Sequence, residues 1–484
     1  MDESISLVNR LIECGVHSSA HGIPSISRKN NIIIKILWLL CIFSSWSYLL
    51  YLIILNLNQY FSYKVQSGVE ILQESPIIFP VIDICNLSPY KTLPSNDCEV
   101  SINSTIKSNI DTESELYLST ANYAIKDVLI QMETRHITEK LDLNSFGYNL
   151  SDLIIKCQYR RVDCSLDDFS MYHNFYFGNC FRFNSGLNLR NEIIDRKYVK
   201  QTGWRDGLQL VLNTGKNNML TLEKGFVILI HDASSNNFTF PEDNGIGISP
   251  GFVTDLAFNK RISEQLPFPY TNCMGDLNDT TFDYLINSSN ILTWMKYKQN
   301  LTKYVQNYCV RLCFQKHMID KCGCQSFDLP SFYLNRSNNS CFTNQQLNCL
   351  NQVDLTYFNS NADDSCFIQC PTQCTQIKYD VKISTTKTPS EWYVETFYGQ
   401  INKSKVYEMF EKGIAILRIH IDEMSYTHSY QVPDFPYQQL LATIGGSFGL
   451  FAGFSILTFI EIIDLIFLIF EFLFDSIFFP NRKD

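Results

Sequence analysis

The sequence lacks the short motifs that identify several classes of enzyme. It has no Walker phosphate loop, no His-Glu-x-x-His zinc motif and no strand-to-helix nucleophile elbow. It also lacks an excess of basic residues, because 39 Lys and Arg are set against 49 Asp and Glu and the formal net charge is −10. These absences argue against a membrane enzyme and against a protein that binds nucleic acid.

Charged side chains are scarce in two long segments near the ends of the chain. Residues 36–57 carry none, and residues 440–470 carry only two carboxylates. A helix needs about 20 predominantly apolar residues to cross the hydrocarbon core of a bilayer. We therefore expect two membrane spans, with a large polar domain between them on one side of the membrane.

Residues 1–31 lack the pattern of a cleavable signal, because they are polar and mixed in charge. Basic residues flank the two runs on their terminal sides: Arg28, Lys29 and Lys35 before the first, Arg482 and Lys483 after the second. Lys and Arg next to a span mark the cytoplasmic side. We therefore expect the first span to act as an uncleaved anchor, with both termini in the cytoplasm.

These signals predict a multi-pass plasma-membrane protein of five segments. They are a cytoplasmic N-terminus at 1–35, a first span at 36–57, an extracellular domain at 58–436, a second span at 437–478 and a short cytoplasmic tail at 479–484.

Cysteine is nearly absent outside the extracellular segment, since 15 of the 17 cysteines lie between Cys85 and Cys374. All ten Asn-x-Ser/Thr sequons lie in the same domain. Disulfides and N-linked glycans belong to oxidising, secretory compartments, which supports the predicted orientation. Asn86 is the sequon least expected to be used, because it adjoins a cysteine and Pro89 follows closely. We expect glycans at the other nine, which are Asn103, Asn149, Asn237, Asn278, Asn287, Asn300, Asn335, Asn338 and Asn402.

Four β-type runs bounded by turn residues occur in this domain, at 81–86, 207–212, 225–231 and 415–423. We expect them to form one central sheet that is joined directly to both membrane helices. The regions at about 98–180 and 273–374 are predicted to be helical or irregular.

Ten cysteines lie within residues 273–374. Cys309 and Cys313 are at i and i+4, so both thiols fall on one face of a helix. A zinc site could use such spacings, but no histidine completes a ligand set and such sites belong mostly to reducing compartments. A rod stapled by disulfides is the better interpretation, and spacing alone leaves its connectivity open.

Glycines recur every fourth residue in the second run, at Gly445, Gly449 and Gly453. Small residues at this spacing let membrane helices approach closely. In a pair of anchors this favours dimerisation, whereas in a channel it lets several copies line a narrow path. Gly453-Phe-Ser455 lies near the middle of the run, where a break in the helix would expose carbonyls that can replace the water shell of an ion.

Glu461 and Asp464 are unfavourable in lipid, at about 2.5–3.5 kcal/mol each on insertion scales. They lie at i and i+3, and Glu471 and Asp475 continue the same face. We interpret Glu461 and Asp464 as a cation-attracting inner vestibule rather than as chance burial. Residues beyond about 467 can instead have left the membrane, which is the favoured interpretation for Asp475.

Several motifs occur along the chain in a fixed order. They are Ser19-Ala-His-Gly-Ile23, Trp38, Phe79-Pro-Val-Ile-Asp-Ile-Cys-Asn-Leu87, Gly178-Asn-Cys-Phe-Arg-Phe-Asn184, Ser249-Pro-Gly251, the cysteines of 309–324 and 366–374, and the run 440–461. With these motifs the chain resembles the degenerin/epithelial sodium channel/acid-sensing channel superfamily nearly end to end. Each motif is weak alone, but together and in order they are specific.

The resemblance implies the fold class: an integral membrane α+β protein that forms a trimeric channel. Two transmembrane helices would flank a large, disulfide-rich, β-sheet-centred ectodomain with a helical thumb. The finger would lie at about 98–180 and the cysteine-rich thumb at about 273–374, around a central palm sheet.

The resemblance also implies seven disulfides, which would leave Cys98 without a partner. For Cys98 we favour a buried, inert thiol over a free reactive thiol or an intersubunit bond. The implied pairs are Cys85–Cys180, Cys157–Cys164, Cys273–Cys374, Cys309–Cys370, Cys313–Cys366, Cys322–Cys349 and Cys324–Cys341.

By the same resemblance, Gly453, Phe454 and Ser455 would form the selectivity filter. Ala442 occupies the degenerin position, where a small side chain lets the pore close. Thr443, with Gly445 and Gly449, would also line the pore.

Four residues elsewhere are implied to act in gating. His21 and Gly22 would fold back under the pore and bias its opening. Tyr63 and Tyr270 match an aromatic pair that joins the first span to the thumb.

Departures from the acid sensors concern groups that titrate. Those channels carry histidines just after the Tyr-Phe that ends the first span, whereas here Tyr60-Phe61 is followed by Ser62, Tyr63, Lys64 and Val65. Ser234 and Ser235 replace carboxylates, and so do Asn351 and Leu355, although Asp354 is adjacent. Such side chains do not change charge near neutrality, so proton gating is disfavoured. Thr443 replaces an outer-pore acid and Phe454 a small filter residue, which leaves the selectivity among sodium, potassium and calcium open.

We therefore expect an amiloride-sensitive, sodium-permeable channel without a cofactor, whose partners are the membrane, identical or related subunits and an extracellular ligand such as a neuropeptide. Mechanical gating or constitutive opening is the alternative within the family. A trimeric ATP-gated channel shares the two spans but has fewer cysteines. A non-conducting surface receptor would explain the cysteines and sequons, but not Glu461 and Asp464.

Overall fold

The fold is described from a computed structural model. The residues that the structure describes are 31–92, 116–215, 220–233, 238–332, 339–357, 362–399, 403–455, 458, 460, 463, 466, 467 and 470. The chain divides into two compact units. The first contains residues 1–67 and 431–484, and the second contains residues 68–430.

The helices are numbered in chain order. They are α1 (Ile32–Phe61), α2 (Leu116–Glu139), α3 (Leu143–Phe146), α4 (Leu150–Leu153), α5 (Pro241–Asn244), α6 (Asp283–Ser288), α7 (Asn290–Tyr297), α8 (Gln306–Cys322), α9 (Asn344–Tyr357), α10 (Ala362–Gln369), α11 (Glu391–Tyr398), α12 (Lys403–Gly413) and α13 (Tyr437–Ala452).

The strands are numbered in the same way. They are β1 (Val65–Gln73), β2 (Ile77–Ile78), β3 (Val81–Asn86), β4 (Ile154–Tyr159), β5 (Val162–Asp163), β6 (Phe169–Asn174), β7 (Gly178–Phe183), β8 (Tyr198–Val199), β9 (Leu208–Asn213), β10 (Phe226–His231), β11 (Ile246–Ile248), β12 (Phe252–Glu264), β13 (Thr375–Lys387) and β14 (Ile414–Pro433).

Helix α1 contains the first predicted span and extends beyond it at both ends. The side chain of Asn31 accepts a hydrogen bond from the N–H of Ile33 at 3.0 Å, which caps the first turn. The helix has no Gly or Pro and a single charged residue, Lys35. Among the described residues, α1 is the one helix long and apolar enough to cross a membrane.

The prediction of one central sheet from four strands is wrong. β9 and β14 belong to a seven-stranded sheet of order β13-β12-β14-β9-β4-β5, in which β1 also pairs with β14. β3 and β10 belong to a five-stranded sheet of order β11-β10-β3-β7-β6. An apolar run predicts a strand but not its hydrogen-bonding partner, and the partner is fixed by contacts distant in sequence.

Burial explains why the two sheets differ. Every residue of β3 is buried, so this strand is covered on both faces. The first half of β14 instead buries alternate residues, including Leu417, Ile419 and Ile421. The buried faces of both sheets contribute to one hydrophobic cluster, in which Phe79, Phe183 and Phe258 are among the largest side chains.

β1 was missed by the sequence analysis, although it is the strand that directly follows α1. Most of its residues are exposed, so it lacks an alternating apolar pattern. Gly68 allows a close approach: a Cβ there would lie 2.6 Å from the ring of Tyr430.

The region at about 98–180 was predicted to be helical or irregular, and that prediction fails in its second half. Helices α2, α3 and α4 are followed by β4, β5, β6 and the start of β7. Cys85 of β3 and Cys180 of β7 are register partners joined by a disulfide. Cys157–Cys164 closes the hairpin of β4 and β5.

The cysteine-dense region 273–374 is mainly helical and has its own hydrophobic cluster, which includes Ile286, Leu312 and Cys313. All ten of its cysteines form disulfides, so no thiolate is left there for zinc. Its five pairs, together with those above, are the seven that the resemblance implies: Cys273–Cys374, Cys309–Cys370, Cys313–Cys366, Cys322–Cys349 and Cys324–Cys341.

Five of the sequons lie in the described part of the chain. Asn149, Asn278, Asn287 and Asn300 are exposed. Asn86 is buried; its Nδ2 donates to the carbonyl of Thr214 at 3.2 Å and its Oδ1 accepts from the N–H of Ser88 at 3.1 Å. A glycan on Asn86 would be incompatible with these contacts. Asn103, Asn237, Asn335, Asn338 and Asn402 lie outside the described residues.

Candidate pore segment and associated elements

Helix α13 ends at the glycine of the predicted filter. Gly453 has φ of +68°, a left-handed conformation that glycine adopts without steric strain. Its N–H donates to the carbonyl of Phe448, as in common C-terminal caps. Residues 453–455 are not helical, so the regular pattern of intrahelical hydrogen bonds is interrupted at these described positions.

Ser455 starts the next helical stretch. Its N–H donates to Thr458 Oγ1 at 3.1 Å, and the N–H of Thr458 lies 3.4 Å from Ser455 Oγ. This reciprocal bonding resembles a capping box, which begins a helix. The described positions beyond it, from Thr458 to Phe470, are helical. In the described part of the predicted second span, helical residues therefore occur both before and after the non-helical residues 453–455.

Helix α1 packs against this break. Ser45 Oγ donates to the carbonyl of Phe451 at 2.7 Å, which satisfies one acceptor in the last turn of α13. The ring of Trp46 lies 5.6 Å from that of Phe454 in an edge-on arrangement, and Phe454 stacks on Phe448 at 6.2 Å. The sequence analysis did not identify Ser45 or Trp46, because neither belongs to a motif with its own chemistry.

The small residues of α13 are not covered by other described residues of the chain. A Cβ added at Gly445 would meet nothing within 4 Å, and one at Gly449 would lie 3.8 Å from the carbonyl of Phe454. Ala442 is exposed, and Thr443 is partly exposed with its hydroxyl donating to the carbonyl of Gln439 at 2.7 Å. Among the described residues, none covers the face that carries these side chains.

Several predicted site residues are not tested by the structure. Glu461, Asp464, His21, Gly22 and the unpaired Cys98 lie outside the described residues. Tyr63 and Tyr270 are described, but they belong to different units. Tyr63 has φ of +48° and its ring lies 6.1 Å from that of Tyr60. The pairing of Tyr63 with Tyr270 stays a prediction.

A buried ionic cluster in the five-stranded sheet was missed by the sequence analysis. Asp83 of β3 has no exposed side-chain surface and lies 3.1 Å from Arg182 Nε and 3.0 Å from His231 Nε2. Tyr172 donates to its second carboxylate oxygen at 2.8 Å. Burial acts to raise the pKa of Asp83, but His231 and Arg182 outweigh it and lower the pKa below the usual value.

Three partly buried carboxyl groups of the ectodomain lie outside the positions at which acid-sensor carboxylates are replaced. Asp328 pairs with Lys126 at 2.8 Å and accepts from Tyr176 at 2.9 Å; burial acts against ionisation, but Lys126 lowers its pKa. Burial raises the pKa of Asp354 and of Glu242, the latter in spite of an ion pair with Arg311 at 3.1 Å. Of these, the sequence analysis noted only Asp354.

The described residues combine three features: an apolar helix long enough to cross a membrane, a second apolar helix that ends at Gly453, and a disulfide-rich β-domain. A family model for the amiloride-sensitive sodium channel matches residues 15–465 of the chain. The chain belongs to this family of ion channels. Members of this family are ion channels and not enzymes, which agrees with the sequence analysis.

Individual relatives cover nearly the whole chain at low identity. An FMRFamide-activated amiloride-sensitive sodium channel of Cornu aspersum is 23% identical over 95% of this chain and 83% of its own length. A bile acid-sensitive ion channel of Homo sapiens is 24% identical over 93% and 84%. Acid-sensing ion channel 1A of Danio rerio is 24% identical over 93% and 86%. These relatives differ in the stimuli that their names state.

Proposed function

We propose that this chain forms an amiloride-sensitive, sodium-permeable cation channel of the plasma membrane, with both termini cytoplasmic. Three copies, either identical or from related subunits, would surround one pore. The observation that carries this proposal is the left-handed break of the membrane-proximal helix at Gly453, within an apolar segment that also holds two carboxylates. A passive anchor needs neither feature.

The proposed pore uses backbone and side-chain groups in turn. Carbonyl groups freed around Gly453, Phe454 and Ser455 would replace water around a permeant ion. Glu461 and Asp464, further along the same helix, would attract cations electrostatically. No cofactor is required, since sodium is the permeant species.

We propose an extracellular ligand, such as a neuropeptide, as the opening stimulus. Support comes from the name of the Cornu aspersum relative and from the replacement of acid-sensor groups at Ser234 and Ser235. Mechanical or constitutive opening is the alternative in the same family, and a non-conducting receptor is the alternative from another class.

The experiment that tests conduction does not require the ligand. Ala442→Phe adds bulk at an exposed position of α13 and is expected to hold the gate open in oocytes. The expected result is an inward sodium current that amiloride blocks. Leu441→Phe is the matched control, because Leu441 is the exposed neighbour on the same helix and should give no such current.

The absence of current from Ala442→Phe at normal surface expression would count against a homomeric channel. Coexpression with related subunits would then separate a missing partner from a non-conducting receptor. In a conducting background, Glu461→Gln is expected to lower conductance or alter selectivity. Unchanged permeation would remove Glu461 from the ion path.

A further inference from the structure

A large cleft in the described ectodomain is basic, in a chain whose net charge is −10. It has a volume of about 1090 Å³ and lies between the hairpin of β4 and β5 and the segment that leads into β9. Five basic and three acidic side chains line it. We call it the basic cleft and define it by Tyr159, Arg160, Arg161, Lys200, Trp204 and Arg205.

The charges of the basic cleft are only partly compensated. Arg160 Nε pairs with Asp206 at 2.8 Å, and Lys197 Nζ pairs with Asp168 at 2.8 Å. The third carboxylate, Asp163, accepts from Gln158 at 2.9 Å. Within the described residues, the remaining basic side chains form no ion pair: they are Arg161, Lys200 and Arg205. Their positive charge is available to an anion.

The turn that carries two of the arginines is conformationally unusual. Tyr159 and Val162 are register partners, so Arg160 and Arg161 form a two-residue turn, with φ of +52° and +65°. Turns of this kind favour Asn-Gly or Gly-Gly, because other residues are strained at positive φ. The disulfide Cys157–Cys164 spans the hairpin and holds this turn. Arginine at both of these strained positions, where glycine or asparagine is favoured, indicates that the two side chains have a function that offsets the strain.

One residue of the cleft lining carries a buried polar group without a hydrogen bond among the described residues. Tyr159 is 8% exposed, and its hydroxyl has no hydrogen-bond partner in the described part of the protein. A phenolic hydroxyl can donate one hydrogen bond, and leaving it unmade is unfavourable. The indole of Trp204, 42% exposed, adds an apolar face that lies 5.5 Å from the guanidinium of Arg205.

We propose that the basic cleft binds a small organic anion with a carboxylate or sulfonate group and an aromatic or apolar body. The volume is of the size used by ligand pockets, which an inorganic ion would not fill. The uncompensated cations would hold the acidic group, and Trp204 would contact the body. This site goes beyond the proposed conduction function and does not depend on it.

The cleft is connected to the long strand that leads toward α13. The N–H of Gly203 donates to the carbonyl of Ile421 in β14 at 3.2 Å, and the guanidinium of Arg418 in β14 lies 5.1 Å from the ring of Trp204. A Cβ at Gly207 would lie 2.1 Å from the carbonyl of Ile419, which shows how closely this segment approaches β14.

Binding is tested without current, on the purified full-length chain in lipid nanodiscs, by calorimetric titration with naphthalene-2-sulfonate. The neutral naphthalene-2-sulfonamide is the matched ligand control. The sulfonate is expected to bind at least about tenfold more tightly, because its charge-assisted contacts are lost in the sulfonamide. Equal affinity for the two probes would overturn the proposal.

Variants locate the binding to the cleft. Arg161→Gln combined with Lys200→Gln is expected to weaken sulfonate binding by about tenfold or more. Arg190→Gln is the matched control, because Arg190 is an exposed arginine outside the cleft lining. An equal loss in both, or no loss in the double variant, would overturn the proposal.

Tyr159→Phe separates a ligand contact from a structural role. Removing an unsatisfied buried hydroxyl is expected to raise the melting temperature of the free chain and to weaken sulfonate binding. A higher melting temperature with unchanged sulfonate affinity would remove the hydroxyl from the site. If the cleft variants instead changed the oligomeric size, a neighbouring copy would be the occupant and the small-anion proposal would fail.

Discussion

Asp83 shows how a single residue can be stable as a buried ion. A carboxylate without solvent loses its hydration, so its pKa would rise if it were alone. His231, Arg182 and Tyr172 surround it within hydrogen-bond distance and reverse that effect. The guanidinium of Arg182 also lies 3.8 Å above the ring of Tyr172. These contacts link β3, β6, β7 and β10 across the five-stranded sheet.

Asp83→Asn is expected to destabilise the chain by about 3–5 kcal/mol, because it leaves the nearly buried Arg182 without its counter-charge. The apparent melting temperature of the full-length chain measures this loss. Asp380→Asn is the control, since Asp380 and Arg261 form a half-exposed pair that contributes about 1 kcal/mol or less. Equal losses in the two variants would contradict the importance given to burial.

The same cluster predicts a pH dependence. The pKa of Asp83 in the folded chain lies below its usual 3.8, so its stabilising contribution is fully present above that value. The contribution is lost as the pH falls through the folded pKa. Melting temperatures measured between pH 7 and pH 3 should therefore drop more steeply at the acid end for the unmodified chain than for Asp83→Asn. Parallel curves would contradict this assignment.

At the scale of elements, the break after α13 depends on one backbone conformation. Gly453 at φ of +68° ends the helix, and the Ser455–Thr458 bonding begins the next stretch. Ser45 and Trp46 of α1 contact the same turn. The end of α13 is thus stabilised by the glycine conformation, by the Ser455–Thr458 bonding and by contacts from α1. Of these three features, only the glycine was recognised from the sequence.

Gly453→Ala is expected to strain this turn by about 1–2 kcal/mol, because an alanine side chain is unfavourable in the left-handed region. In the proposed channel the result is a severalfold smaller current at equal surface expression. Gly446→Ala is the matched control: Gly446 is helical, a Cβ there meets nothing within 4 Å, and alanine favours the helix. Equal currents from both variants would mean that the left-handed residue is not needed for conduction.

The positions of several strands were predicted from the sequence, but their pairing into sheets was not. Runs at 81–86 and 225–231 were predicted as strands and are β3 and β10. Their apolar composition indicated burial, but their assignment to the same sheet as β14 failed, because pairing depends on which strands meet in space. β1 was missed because Gly68 and its exposed residues produce no alternating pattern.

At the scale of the whole molecule, the cysteine-dense region 273–374 depends on covalent links as well as on its core. Its helices α6–α10 are short apart from α8 and α9, and most helices of this length are marginal alone. Five disulfides and one hydrophobic cluster hold them together. We therefore expect the stability of the ectodomain to depend strongly on the long-range pairs.

Replacing Cys273 and Cys374 by Ser, which opens about 40 residues that the nested Cys309–Cys370 bond does not already enclose, is expected to lower stability by roughly 4 kcal/mol in the chain-entropy description. The matched replacement of Cys157 and Cys164, which opens a loop of 7 residues, is expected to lower stability by roughly 2 kcal/mol. Apparent melting temperature and the fraction of chain at the cell surface measure both. A larger loss for the short hairpin would contradict the predicted order.

The sequence by itself determined the features that are local or compositional: an apolar helix over the first span, the positions of four strands, the low expectation of a glycan at Asn86 and the glycine at which α13 ends. These follow from hydropathy, turn residues and steric rules within a few positions of the chain. The family resemblance supplied the disulfide pairs, which spacing had left open. Only the tertiary structure decided which strands pair, that Asp83 meets Arg182 and His231, and that Arg161, Lys200 and Trp204 line one cleft, because each depends on contacts between segments far apart in sequence.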